Sequence, residues 1–205
     1  MSLRERGKQR RREAVLQAAA ELLAERGFTR TTMELIAARA GLGVATVYKY
    51  FGTKASIVES IIRPSLEKAF AEAAKIIASP PADPGAAMAE LIDKYRYLRD
   101  DWSDRRLLQA ISVAGPYEDD TLSRLTREAD ERCLGQARDL LRVLKSRGDL
   151  DPRLDIDDAA LIVFCVFNQH YEMFVSDESI AAEELFAALA RRTRLLFRAW
   201  VRQRP

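Results

Sequence analysis

The sequence predicts an all-α protein of about nine helices, and three observations carry that prediction. Apolar residues recur at three- and four-residue spacing through most of the chain, the signature of helices with one buried face. Short runs rich in turn formers separate these segments, among them SPPADPG at 79–85 and GPYEDD at 115–120. No alternating apolar and polar stretch is long enough to suggest a strand. With 205 residues, 48% of them hydrophobic, the chain can bury a real core.

The net charge of +2 conceals an uneven distribution. Residues 1–55 hold 11 Lys and Arg against five Asp and Glu, while the remainder is net acidic. A basic N-terminal end on a mildly acidic body suits a protein that touches phosphate with one end only. No apolar segment reaches 18 uncharged residues, and no hydrophobic run follows the basic N-terminus. Neither a membrane span nor a signal peptide is therefore expected, and a cytoplasmic location is. Cys133 and Cys165 have no metal-ligand spacing and read as buried free thiols in a reducing compartment. The sole histidine is His170; with no metal cluster and no phosphate-binding glycine loop, no cofactor and no catalytic residue are expected.

In order along the chain, residues 1–12 (MSLRERGKQRRR) read as a flexible basic arm, either following phosphates or entering a minor groove, or else idle in solvent. Glu13 to Arg26 carries an amphipathic stripe of Val15, Leu16, Ala19, Leu22 and Leu23, stopped by Gly27. Thr31 and Glu34 have capping-box spacing, which predicts a helix from there to Ala40 with Ile36, Ala37 and Ala40 inward. Gly41-Leu42-Gly43 supplies a turn, and a third helix is expected over Val44 to Phe51, anchored by Val47 and Phe51. That is helix-turn-helix spacing, and it leaves Val44, Ala45, Thr46, Tyr48 and Lys49 on the outer surface. Small residues at Ala45 and Thr46 let the helix backbone approach base edges, and Thr46 offers a methyl and a hydroxyl there. Tyr48 and Lys49 are long enough to reach flanking phosphates. Residues 1–54 form the expected DNA-binding domain.

Residues 27–62 resemble the DNA-binding domain of TetR-type transcriptional regulators. The resemblance rests on Thr31, Thr32, Ile36, Ala37, Ala40, Gly41, Leu42, Thr46, Val47, Tyr48, Phe51, Thr53 and Lys54. It implies that Thr46 and its predecessors approach bases, and that Tyr48 and Lys49 touch phosphates or base edges. By the same resemblance Lys54 holds a phosphate at the start of the fourth helix, with Thr32 doing so from the other side. Two departures stand out. Gly43 replaces the serine cap common in the family, and Val44 replaces a residue that is often polar, so sequence readout rests on fewer direct contacts.

Residues 55–205 are expected to form a helical effector-binding and dimerisation domain. A helix from Lys54 passes Pro64, which kinks or breaks it. Further helices are expected near Ala86–Arg99, Arg105–Ala114, Leu122–Ser146, Asp157–Val175 and Ile180–Arg202. The run from Ala159 to Phe167 is apolar on every side and so asks to be covered on every side. Leu161, Phe164, Leu185, Leu189, Leu196 and Trp200 are the candidate dimer interface, a four-helix bundle across a two-fold axis. Tyr95, Trp102, Gln109, Phe167, Asn168, Tyr171 and Glu172 are candidates for an effector cavity, which the resemblance places in this half of the chain. Each polar member of that set reads equally as a structural group. His170 reads as structural.

The function these features imply is sequence-specific binding of palindromic operator DNA by a homodimer. The expected form is a repressor released by an apolar or amphipathic small molecule. Activators and ligand-independent regulators share such an architecture. A helical protein-interaction module or an enzyme are the readings from other classes.

Overall fold

The computed structural model describes residues 2–95, 120–177 and 179–202. They form eight helices: α1 Leu3–Arg30, α2 Met33–Arg39, α3 Val44–Phe51, α4 Lys54–Ala78, α5 Pro84–Lys94, α6 Asp120–Ser146, α7 Ile156–Ser176 and α8 Ala182–Trp200. Among the described residues the one β element is an isolated antiparallel bridge between Leu150 and Val201. The all-α expectation is met. The helix expected over Arg105–Ala114 lies outside the described residues.

Two units emerge. Of the described residues, 2–65 and 120–127 belong to one, and 66–95, 128–177 and 179–202 to the other. The division thus falls inside α4, beside Pro64, rather than at 54/55. The physical reason is that Ile57 and Ile61, in the first turns of α4, pack on the same core as α1, α2 and α3.

In the first unit the N-terminus departs from expectation. Residues 3–12 are not an arm but the first turns of α1. The Ser2 hydroxyl accepts from the Glu5 amide (3.2 Å) while the Glu5 carboxylate accepts from the Ser2 amide (2.6 Å), a complete capping box. Arg, Lys, Gln and Glu are also strong helix formers, so charge here does not oppose helicity. Gly27, with φ 73°, breaks α1 in a conformation that only glycine adopts cheaply. Thr31 is fully buried, its hydroxyl within reach of the carbonyls of Gly27 (2.8 Å) and Leu22 (3.2 Å). The cap of α2 is therefore Thr32, one residue later than the spacing predicted, and its hydroxyl accepts from the Leu35 amide. Gly41 takes φ 66° and the Leu42 amide donates to the Ala37 carbonyl, which closes α2 and turns the chain into α3. Val15, Ala18, Ala19, Leu22, Ile36, Ala37, Val47 and Phe51 fill the core beneath.

The second unit holds α5, α7, α8 and most of α6, with the C-terminal half of α4. Asp83 caps α5 by accepting from the Ala86 amide (2.6 Å). At Gly85 a Cβ would stand 3.3 Å from the Phe197 Cβ, so its absence lets α5 and α8 approach closely. Arg147 donates to the carbonyls of Pro80, Pro81 and Ala82 and so pins the Pro-rich loop ahead of α5. Asp155 caps α7.

Candidate nucleic-acid interface

The eight residues of α3 divide cleanly into anchors and exposed groups. Val47 is fully buried and Phe51 nearly so, which fixes the helix to the core below it. Val44 (37% exposed), Ala45, Tyr48 (47% exposed) and Lys49 lie together on the opposite face. Thr46 is half-buried at the edge of that face. Gly43 caps α3 without a side-chain hydrogen bond, so no capping side chain occupies the first amides of the helix. An exposed helix N-terminus, small side chains and one aromatic with one cation form a surface suited to a groove lined by phosphates.

Surrounding contacts hold this helix in place. Arg12 stacks its guanidinium over the Phe51 ring, 4.7 Å from the centroid. Arg39 of α2 grips Glu25 of α1 in a bidentate pair (2.8 and 2.9 Å) and reaches Glu21 at 3.4 Å. That pairing raises the Arg39 pKa and lowers that of Glu25. Both partners are solvent-exposed, so the pair orients α2 on α1 more than it stabilises the fold. Neither contact was visible in the sequence, where the partners stand 39 and 14 residues apart.

The two flanking candidates behave differently. Thr32 is exposed at the start of α2, with its hydroxyl engaged as the cap. The Lys54 ammonium donates to the Phe28 carbonyl at 2.8 Å and sits 3.8 Å from the centre of the Phe28 ring. It ties the start of α4 to the last turn of α1, a structural role that its expected phosphate contact did not include.

With this geometry in view, likeness to known proteins is informative. A sequence model of the family described as "Bacterial regulatory proteins, tetR family" matches residues 15–61, the helix-turn-helix with its flanks. The chain has the TetR-family helix-turn-helix regulator fold. An HTH-type transcriptional repressor of Rhodococcus jostii, KstR2, is 41% identical over 73 residues, which are 36% of each chain. The match thus spans about a third of that repressor's length. An HTH-type transcriptional regulator of Bacillus subtilis, YdeS, is 26% identical over 156 residues, 74% of this chain and 73% of the relative. Among solved structures, the SmeT–triclosan complex superposes with a TM-score of 0.73 at 20% identity, covering 94% of this chain and 92% of SmeT. PfmR of Thermus thermophilus does so with a TM-score of 0.68 at 22% identity, covering 90% and 97%. Match and fold are those of regulatory proteins rather than of an enzyme. Among the described residues no cluster of His, Cys, Asp or Glu is arranged to hold a metal, and no helix is long and apolar enough to cross a membrane.

In the second unit, several effector candidates do come together. Tyr95 is buried, its ring edge-on to Phe70 (5.9 Å) and to Phe167 (5.5 Å), and its hydroxyl donates to the Gln136 side-chain oxygen at 3.0 Å. Gln136 in turn donates to the Phe70 carbonyl. Burial raises the Tyr95 pKa well above the usual phenol value, and the adjacent Cys133 adds to the rise. The Cys133 thiol itself is pushed up to about 12, by burial first and by the Asp130 charge second. Burial likewise raises Tyr171, helped by Glu172 and Asp130. Asp130, raised by burial and then by Glu172, is a member of this cluster that sequence reasoning missed. Its one sequence signal is its place three residues before Cys133 on the same face of α6. Asn168 is half-buried and Glu172 is exposed. Trp102 and Gln109 lie outside the described residues. His170 is buried; Arg192 donates to its Nε2, so Nδ1 carries the proton and donates to the Val166 carbonyl.

The dimer candidates divide as well. Leu185 and Leu189 are buried within the single chain and so belong to its own core. Leu161 is 48% exposed, and Ile162, Met173 and Leu195 are open beside it in kind. Phe164, Leu196 and Trp200 are half-buried, with Trp200 edge-on to Phe197 at 5.3 Å. Cys165, expected to be buried, is exposed on α7.

Proposed function

We propose that this chain is a cytoplasmic transcriptional regulator that binds palindromic operator DNA as a homodimer, and that it represses until a small molecule releases it. The observation that carries the reading is α3 itself. Val44, Ala45, Tyr48 and Lys49 stand free on a helix whose other side, Val47 and Phe51, is locked into the core. Val44 and Ala45 meet base edges, Thr46 serves at the groove edge, and Tyr48 and Lys49 take phosphate oxygens. Thr32 flanks them. Lys54 acts from behind by fixing α4 to α1.

Dimerisation is supported by the exposed apolar residues of α7 and α8, since four large hydrophobic side chains in water call for a cover. An effector site is supported by the aromatic group around Tyr95 and Phe167, and by the likeness in fold to SmeT, whose complex contains triclosan. A ligand of mixed aromatic and aliphatic character suits such surroundings. Binding in the second unit then shifts the balance between head positions through α4, the helix common to both units.

Selection of bound duplexes from a random pool tests the reading. A palindrome with two similar half-sites is the expected product. Failure of folded protein to enrich any sequence, with and without small-molecule extracts, overturns it.

A further inference from the structure

The helical start of α1 gives the N-terminal charges a geometry. Arg4, Lys8 and Arg11 follow a spacing of four and three residues, and the same spacing continues through Val15, Ala18 and Leu22. The last three are buried in the head core. One stripe of one helix is therefore basic at its first three positions and core at its next three. Arg12, beside the stripe, lies over Phe51, the last residue of α3. The basic stripe thus leaves the head alongside the end of the recognition helix. At 1.5 Å per residue, Arg4 stands about 16 Å along the axis from Val15. That exceeds the roughly 6 Å width of a DNA minor groove.

The acidic residues of this segment do not neutralise the stripe. Glu5 is turned to the Ser2 amide and Glu13 accepts from Gln9. Among the described residues no carboxylate pairs with Arg4, Lys8 or Arg11, and all three are exposed. Among the described residues Leu3 is the one large apolar residue before Val15, so the segment lacks the hydrophobic face a membrane-surface helix needs.

We propose that the first three turns of α1 form a basic helical blade that lies on the DNA phosphate backbone beyond the site read by α3. Arg4, Lys8 and Arg11 make the contacts, sequence-independently. The proposal rests on the operator-binding reading above and extends its footprint.

The test is affinity as a function of salt, measured by fluorescence anisotropy on a duplex selected by the wild-type chain and on a scrambled duplex of equal length. Each phosphate contact contributes about 0.9 to the slope of log affinity against log salt. The triple variant Arg4→Gln, Lys8→Gln, Arg11→Gln is expected to lower the slope by about 2–3 on both duplexes and leave their affinity ratio unchanged. Arg10→Gln, on the other side of the helix, is expected to leave the slope nearly as it was. Gln9→Pro keeps every charge but breaks the helix, and is expected to lower the slope as the triple variant does. Circular dichroism of the variants confirms that the head stays folded. A wild-type slope in the triple variant overturns the proposal, as does an Arg10→Gln effect equal to that of each stripe residue. A wild-type slope in Gln9→Pro overturns the helical form of the contact. If the wild-type chain itself does not distinguish the two duplexes, it is the operator reading that fails.

Discussion

At the scale of single residues, Tyr48 and Lys54 make opposite demands. Tyr48 is 47% exposed and holds nothing in place. Tyr48→Ala is expected to weaken operator binding at least about tenfold, since a hydrogen bond to a charged group is worth about 1.5–3 kcal/mol, and to leave thermal unfolding unchanged. Lys54 is joined to the Phe28 carbonyl and ring. Lys54→Met is expected to destabilise the chain by about 1–2 kcal/mol in a denaturant titration. An unchanged unfolding midpoint would mean that its contacts with α1 carry no weight. Asp130 supplies a pH dependence. Burial, with Glu172 second, raises its carboxyl above the ordinary 3.8. A carboxyl raised on folding stabilises the fold while protonated, and that contribution disappears as pH rises through the raised value. Asp130→Asn is therefore expected to melt slightly higher than wild type at pH 7. The gap should close as pH falls toward 4. A gap that persists there would contradict the burial of this carboxyl.

Among elements, α3 was the most legible and α1 the least. Val47 and Phe51 are four residues apart, and their spacing alone predicts the buried face that α3 shows. The missing cap at Gly43 was legible too, and it gives a prediction. Gly43 has φ −70° and ψ 140°, and a Cβ added there meets nothing within 4 Å, so serine fits without strain. Gly43→Ser is expected to raise stability by a few tenths of a kcal/mol, seen as a small rise in the melting temperature. A fall would show that the amides of α3 need no acceptor. The start of α1 is hard to read in the sequence because its charge density argues against packing, whereas a helix of good formers with a capping box needs little packing to begin. Ser2 and Glu5 were the readable signal. Thr31 and Thr32 could not be separated by spacing, because only the burial of Thr31 against Leu22 and Gly27 decides which threonine caps α2. In α8, periodicity identified an apolar stripe but not its inner side. Leu185 and Leu189 turned inward while Leu195 stayed out. The Tyr95–Gln136 bond joins residues 41 apart and has no local signature.

For the molecule as a whole, the proposed function needs two copies of α3 acting together, since one short helix alone gives little specificity. The exposed Leu161, Ile162, Met173 and Leu195 are the surface that would join two chains. Leu161→Glu together with Leu195→Glu is expected to shift sedimentation from dimer to monomer while helix content stays constant. Operator affinity should fall with it by well over tenfold, because the second half-site is lost. The most direct measurement of the central claim is a titration of the wild-type chain against two duplexes, one carrying both selected half-sites and one with a single half-site scrambled. Tight binding of two chains to the intact duplex, with affinity at least about a hundredfold weaker once one half-site is lost, is the predicted result. Equal affinity for both duplexes would contradict a dimer that reads paired sites through α3.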